Sequence, residues 1–568
     1  MLTQDGPLIV QSDLQVLLDT RHPRAEHSQS RLARFADLVK RPGDLHTYRI
    51  TSLSIWNALA SGMTAGDILE CLQSGSRYDV PGQVLDTLEL LAWRYGKIHL
   101  VRKDGDVQLV CGEQQLAAEL DADACVRENA VRMENGRWRL KPGKRGLMKQ
   151  ELLRSGYPVV DLAGYDAGEA LQVELLAESR SGQPFQLRDY QAEAVELFHR
   201  EGDVYGGSGV LVLPCGAGKT VIGIAALARL SCAALILTSS MTSVRQWRSE
   251  LLDKTSLTPE DIGEYAGRGR EVKPITIATY QMVTHRHAST GEYSHMRLFD
   301  ERDWGLIIYD EVHTLPAPVF RRTADIQATR RLGLTATLVR EDGREEDVFS
   351  LIGPKRYDLP WKKLEEQGHI AAVTCNEVRV ALEGVNRDRY HAAAPRERNR
   401  LAAENPAKLA AVRELLGRHP GRPALVVGQY LKQLGELAGM LNAPLLTGQT
   451  PQEERMRLYD RFKQGEIPVL VVSKIANFAV DLPDAAVAIQ VSGSFGSRQE
   501  EAQRIGRLLR PKRGDNTAWF YTLVTADTKE TEYARKRQLF LAGQGYTYRV
   551  EEEFGRLDEH DRKDVAGS

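Results

Sequence analysis

The sequence predicts an α/β protein: two doubly wound parallel-sheet domains preceded by a smaller α+β N-terminal region. Three observations predict it. Nine short apolar runs recur in the last two-thirds of the chain: 210–213, 234–237, 275–279, 306–311, 332–337, 424–427, 469–473, 487–492 and 518–524. Continuous apolar runs of this length mark parallel strands covered on both faces. The runs alternate with helical stretches, the signature of doubly wound architecture. They also fall into two sets on either side of "RDRYHAAAPRERNRLAAENPAK" (387–408), which is charged, Ala-rich and unlike a strand.

The first 180 residues read differently. "TSLSIWNALASGMTAGDILECL" (51–72) predicts two short helices broken near Gly62, and "GKIHLVRKDGDVQLV" (96–110) a hairpin turning at Asp104-Gly105. "RWRLKPGKRGLMK" (137–149) carries six basic residues, one tryptophan and no acid. Basic side chains with an aromatic among them suit contact with nucleic acid, and a solvated linker is the alternative.

Bulk properties narrow the class. With 568 residues, 42% hydrophobic and 27% charged, the chain is ordinary for a globular protein of several domains. No stretch approaches the roughly 18–20 apolar residues that span a bilayer, and the first fifteen residues lack a secretion-signal pattern. Six scattered cysteines, with no C-x-x-C pair, argue against zinc or a disulfide framework and for a reducing cytoplasm. The net charge of −2 gives no bulk hint of nucleic acid.

"LPCGAGKT" (213–220) departs from the phosphate-loop pattern G-x-x-x-x-G-K-[ST], because Leu213 stands where the first glycine belongs. Its context is nevertheless right: an apolar strand before, an apolar helix after. Gly216 and Gly218 allow close backbone approach, Lys219 reaches the β/γ oxygens and Thr220 ligates Mg²⁺. Downstream, "LIIYDEVH" ends a strand in two carboxylates: Asp310 for the metal and Glu311 for the attacking water. In "EAQRIGRLLRP" (501–511), Arg504, Arg507 and Arg510 share one helical sector. Such a face is solvated, tracks nucleic acid, or supplies arginine fingers.

These pieces, in this order and with "TAT" at 335–337, resemble superfamily 2 helicases and translocases. "RDYQAEAV" (188–195), "LPCGAGKT", "DEVH", "LGLTATLVRED" (332–342), "LIGPKRYDLPW" (351–361) and "DLPDAAVAIQVSGSFGSRQEEAQRIGRLLRPKRG" (481–514) together look like the XPB (xeroderma pigmentosum group B) helicase family. The resemblance is dense over 180–525 and weaker over 7–23, 47–72 and 152–168. It implies two RecA-like motor domains. The expected divisions are an N-terminal domain (1–100), a small β-containing DNA- or damage-recognition domain (101–175), the first motor domain (176–380), a short thumb-like linker (381–405), the second motor domain (406–545) and a tail (546–568).

Residue by residue, the resemblance implies that Gln191 and Arg188 read adenine, and that Lys219 and Thr220 hold phosphate and Mg²⁺. Asp310 and Glu311 keep their roles, and His313 couples nucleotide to the second lobe. Gln503, Arg507 and Arg510 close over the γ-phosphate, and Asp481 touches the ribose. Ser240, Gln246, Thr279, Ser473 and Gly448 grip the DNA backbone, where hydroxyls and amides position a strand without reading sequence. Arg340, Glu341 and Asp342 serve strand separation; a solvated charged turn is the alternative. ATP and Mg²⁺ are the implied cofactors, DNA the implied partner, and the cytoplasm (nucleoid-associated) the implied location. The implied activity is ATP-dependent 3′–5′ DNA unwinding in repair, with a duplex translocase and an ATP-gated loading factor as alternatives. No nuclease cluster is evident, so cutting would fall to a partner protein. Two departures stand out: "KIANFAV" replaces the family's Gly- or Thr-containing turn before "DLP", and the insertion between the lobes is short, which predicts translocation stronger than unwinding.

Overall fold

The computed structural model describes residues 5–40, 44–203, 206–214, 216–287, 292–327, 329–337, 344–473, 485–493, 508, 516–543, 546 and 548–554. The chain divides into two compact units, residues 1–213 with 218–359, and residues 214–217 with 360–568.

The first unit opens with a four-stranded antiparallel sheet. Its strands β1 (Leu8–Val10), β2 (Gln15–Asp19), β3 (Asp37–Lys40) and β4 (Leu45–Arg49) lie in the order β1-β2-β4-β3. Two helices follow, Ser52–Ala60 and Ala65–Gly75, separated by Gly62 at φ 98° as its lack of a Cβ permits. Both carry a reciprocal capping box, Thr51 with Ser54 and Thr64 with Asp67. A second sheet holds β5 (Ile98–Lys103), β6 (Asp106–Cys111), β7 (Ala130–Arg132), β8 (Trp138–Leu140) and β9 (Val159–Leu162), in the order β7-β8-β6-β5-β9. The expected hairpin is β5–β6, turning through Asp104 (φ 52°) and Gly105 (φ 85°).

The motor sheet of this unit has seven parallel strands: β10 (Ser208–Val212), β11 (Ala234–Thr238), β12 (Ile262–Tyr265), β13 (Ile275–Thr279), β14 (Leu306–Asp310), β15 (Arg330–Thr335) and β16 (Lys355–Asp358). Their order is β12-β13-β11-β14-β15-β10-β16. β10, β11 and β13 are buried at every position, as strands with helices on both faces must be.

The second unit repeats the plan with β17 (Ala372–Val380), β18 (Ala424–Gly428), β19 (Leu445–Leu446), β20 (Val469–Ser473), β21 (Val487–Gln490), β22 (Thr517–Thr525) and β23 (Tyr548–Phe554), all parallel, in the order β19-β20-β18-β21-β22-β17-β23. Lys408, fully buried, is neutralised by both oxygens of Glu530 at 2.9 and 2.8 Å and donates to the Val491 carbonyl. Among the described residues no helix is long and apolar enough to cross a membrane.

Three expectations need correction. β17, expected inside a first motor domain ending at 380, pairs with β22 and β23 in the second sheet. The expected tail from 546 contains β23. The basic stretch 137–149 is not a linker: it runs through β8 into a helix, and its cations divide, with Arg139 and Lys141 exposed and Arg145 and Lys149 buried. Arg145 grips Asp161 through Nε and Nη2 at 2.8–3.1 Å and donates to the Gly164 carbonyl. Lys149 donates to Asp161 at 3.1 Å and to Gln327 Oε1 at 2.9 Å. Burial pushes the Lys149 amine down to about 8 against the pull of Asp161, while the surrounding cations hold the Asp161 carboxyl well below the usual range. The helix Arg145–Arg154 is thereby tied to the motor sheet's own layer. At Gly146 an added methyl would meet the Ala324 carbonyl oxygen at 2.4 Å, so only glycine permits the approach.

Asp161→Asn leaves two buried cations without their carboxylate. It is expected to destabilise the first unit by about 3–5 kcal/mol, read by denaturant unfolding. Lys149→Gln is expected to leave the salt dependence of DNA affinity unchanged, because a buried ammonium releases no counterion.

Candidate active site at the carboxyl edge of the first motor sheet

β10 and β14 are parallel strands of one sheet, so the loops that follow them leave from the same edge, where open α/β sheets bind ligands. The loop after β10 has Gly216 at φ 85° and Gly218 at φ 77°, both in the left-handed region. The helix Lys219–Leu230 starts immediately after, its first N–H groups lacking partners within the helix. The loop works without a glycine at Leu213 because that residue belongs to the buried approach: it is fully buried and its N–H bonds the Thr335 carbonyl at 3.0 Å.

Gln191 reaches this loop from the helix Asp189–His199, and Arg188 precedes that helix. Gln191 Oε1 accepts the Arg188 backbone N–H at 3.0 Å, and its Nε2 lies 2.6 Å from where a methyl on Gly218 would stand. Any side chain at 218 would displace that amide. Arg188 Nη1 donates to the Tyr190 hydroxyl at 3.1 Å. Lys219 Nζ lies 3.5 Å from the Leu213 carbonyl, and Thr220 is the second residue of the helix.

β14 delivers Asp310 and Glu311. The Trp247 indole N–H donates to Asp310 Oδ2 at 2.9 Å, and the Tyr280 hydroxyl donates to the Asp310 carbonyl at 2.9 Å. Burial, reinforced by the neighbouring Glu311 charge, raises the Asp310 carboxyl to about 6; the Trp247 hydrogen bond and the Lys219 ammonium oppose that rise. Glu311 holds φ 52°, a left-handed conformation that costs a non-glycine residue of order 1–3 kcal/mol. Its Oε2 is buried with no hydrogen-bond donor among the described residues.

His313, buried, connects this pair to the "TAT" segment. Thr335 Oγ1 donates its hydrogen to the Thr337 carbonyl at 2.6 Å, so His313 Nδ1, 2.7 Å away, must be the donor to Thr335. Glu311 Oε2 lies 3.4 Å from the same nitrogen.

The residues expected on DNA are distributed as follows. Ser240 Oγ caps the helix Met241–Lys254 by accepting Ser243 N–H, and Thr279 Oγ1 caps Tyr280–Val283 by accepting Met282 N–H. Gln246 is exposed on the Met241–Lys254 helix. In the second unit Ser473 is buried at the end of β20 and Gly448 is exposed just after β19. Arg340, Glu341, Asp342, Asp481, Gln503, Arg507 and Arg510 lie outside the described residues. Trp247 and Tyr280 were not expected at the site. Trp247 sits between Val244 and Leu251 at helical spacing and reads as core, yet a buried indole N–H must find an acceptor, which was the available signal.

Asp310 yields a test with a defined sign. Its folded pKa lies above the unfolded value, so between about pH 4 and 6 the folded protein binds more protons, and stability falls as pH rises. Above that window the ionised carboxylate carries the full cost. Asp310→Asn is therefore expected to raise the thermal midpoint of metal-free protein at pH 7, by up to about 3 kcal/mol in stability, with the gain fading toward pH 4. An equal gain at both pH values would point to another cause.

Comparisons with known proteins place the chain in a family. Residues 364–566 match the ERCC3/RAD25/XPB C-terminal helicase family, residues 184–340 the type III restriction enzyme res subunit family, and residues 8–134 a helicase conserved C-terminal domain. The DNA 3′-5′ helicase XPB of Kineococcus radiotolerans is 53% identical over 96% of both chains. That of Mycobacterium tuberculosis is 51% identical over 96% of this chain and 97% of its own. The general transcription and DNA repair factor IIH helicase/translocase subunit XPB/SSL2 of Saccharomyces cerevisiae is 32% identical over 95% of this chain and 71% of its own. The chain belongs to the XPB helicase family.

Proposed function

We propose that the chain is an ATP-dependent 3′–5′ DNA helicase acting in DNA repair. The observation that carries the reading is the Asp310–Glu311 pair at the sheet edge that also bears the Lys219 loop, with Lys219 near enough to moderate the Asp310 charge. The polarity and the substrate follow the names of the bacterial relatives.

The donor set suits a magnesium nucleotide. Gly216 and Gly218 open the backbone to phosphate, Lys219 meets its charge, and Thr220 with Asp310 would hold Mg²⁺, which when bound draws off negative charge from the phosphates. A carboxyl raised to about 6 is a ligand waiting for a cation, and the donor-less Glu311 Oε2 is an acceptor suited to orient a water. Gln191 and Arg188 position the base and Asp481 the ribose. Gln503, Arg507 and Arg510 close over the γ-phosphate. Thr279 accepts a hydrogen bond as a cap, which leaves its hydroxyl proton to donate to a DNA phosphate, and Ser240, whose hydroxyl also meets the Ser243 hydroxyl at 3.0 Å, stands at the start of the same track. Gln246, Ser473 and Gly448 extend that track, and Arg340, Glu341 and Asp342 act at the fork. Cutting of damaged DNA falls to a nuclease partner, and the working location is the nucleoid.

A second reading, duplex translocation with little strand separation, is favoured by the word translocase in the names of the eukaryotic relatives. Strand-displacement and triplex-displacement assays run side by side separate the two. ATPase rates with single-stranded, duplex, forked and RNA ligands identify the activating substrate.

Lys219→Ala is expected to abolish hydrolysis. Glu311→Gln is expected to bind ATP but not turn it over; hydrolysis near the wild-type rate would remove Glu311 from the water-orienting role. Changing Arg340, Glu341 and Asp342 together to Ala is expected to leave DNA-stimulated ATPase within about threefold, under 1 kcal/mol of barrier, while forked-duplex unwinding collapses. Loss of both activities together would move the trio into the hydrolysis machinery.

A further inference from the structure

We propose that Trp247 and Tyr280 are positioning residues for Asp310, and that through them the two strand-gripping segments of the first motor sheet set the geometry of the metal-binding carboxylate. The grip is two-sided. Trp247 holds one carboxylate oxygen and Tyr280 holds the backbone of the same residue, each at 2.9 Å. Both side chains are buried, 1% and 4% exposed, so neither hydrogen bond competes with water.

Their places in the chain make the pairing informative. Trp247 lies on the helix that Ser240 caps and that presents Gln246 to solvent. Tyr280 is the first residue of the helix that Thr279 caps. Each segment proposed to meet the DNA backbone thus sends one buried donor to Asp310. The indole cannot swing aside. A methyl added at Gly223, on the phosphate-loop helix, would stand 2.5 Å from Trp247 Cη2 and 3.2 Å from Leu334 Cδ1, so the ring fills the space between that helix and β15. A small displacement of the Met241–Lys254 helix must therefore move the N–H relative to Asp310. With Oδ2 engaged by the indole, Oδ1 remains to meet a cation.

The coupling to DNA rests on the proposed roles of Ser240, Gln246 and Thr279; the grip on Asp310 does not. Trp247→Phe and Tyr280→Phe, made in the full chain, each remove one donor. Mn²⁺ affinity is measured without DNA, in the presence of a non-hydrolysable ATP analogue, from the free Mn²⁺ resonance signal. It is expected to weaken about tenfold in Trp247→Phe and about threefold in Tyr280→Phe, the scale of a lost hydrogen bond to a charged and to a neutral acceptor. DNA-stimulated turnover is expected to fall in both at low Mg²⁺ and to recover in part as Mg²⁺ is raised, with DNA affinity within twofold of wild type.

Unchanged Mn²⁺ affinity in both variants overturns the proposal. Tyr280→Phe removes a single oxygen, so it decides the question alone if the larger change at Trp247 prevents folding. The DNA reading is tested separately by Gln246→Ala with Thr279→Val. If these leave DNA affinity at the wild-type value, that reading fails while a weakened Mn²⁺ affinity still upholds the grip. If they weaken DNA binding but Mn²⁺ affinity stays normal in the two aromatic variants, the positioning role fails alone.

Discussion

Two carboxylates side by side at the end of a buried strand repel each other, and the carboxyl edge of the first motor sheet is organised around that repulsion. Asp310 ends β14 and Glu311 follows it, and burial pushes the Asp310 carboxyl up to about 6 with the Glu311 charge adding to the rise. The indole N–H of Trp247 and the Lys219 ammonium relieve part of this cost. The left-handed backbone at Glu311 persists because its surroundings over-determine it: β14 is buried on one side and Val312 and His313 are buried on the other. A cation arriving at such a site would relieve the cost that burial leaves on Asp310. The all-buried strands β10, β11 and β13 supply the rigidity that makes this local cost tolerable.

The N-terminal region is built onto this sheet rather than strung in front of it. β16 is an edge strand, and exposed edges invite unwanted pairing. Here the helix Ser52–Ala60 covers it: Asn57 Oδ1 accepts the Lys355 backbone N–H at 2.9 Å, and Arg356 reaches the Ala60 carbonyl at 3.5 Å. Further along, Asp161 gathers Arg145 and Lys149 while Gln327, bonded to Lys149, also donates to the Leu351 carbonyl at 3.0 Å. Buried ion groups of this kind add less to net stability than to uniqueness of docking, because desolvation offsets much of their attraction. They make residues 1–213 and 218–359 one body, consistent with their compactness as a unit.

Legibility followed burial. The nine central strands were readable because a strand covered on both faces has no polar positions to interrupt it. The strands that escaped notice are peripheral or polar: β12, β16, β19 and β23 lie at or beside sheet edges, and β17 carries Asn376 and Glu377 in its middle. Glu377 is buried, and it is tolerated because Arg379, two positions on, donates to it at 3.0 Å and Gln538, 161 positions away, donates to its other oxygen at 2.6 Å. Within the basic stretch 137–149, Arg145 and Lys149 misled for the same reason: charge in a sequence reads as exposure, and the carboxylate that neutralises these two enters only when β9 folds beside them.

The sequence by itself determined the two-sheet α/β plan, the phosphate loop with its missing first glycine, and the carboxylate pair, because each is written in contiguous residues whose local conformation follows from their own chemistry. The tertiary structure alone decided which side chains surround that pair. Trp247 and Tyr280 are 63 and 30 residues from Asp310 and look like ordinary core positions. Their donors acquire a role only when parallel strands β11, β13 and β14 align their carboxyl ends, since hydrogen bonds across a sheet edge depend on strand order and register, and neither is encoded in any local run of residues.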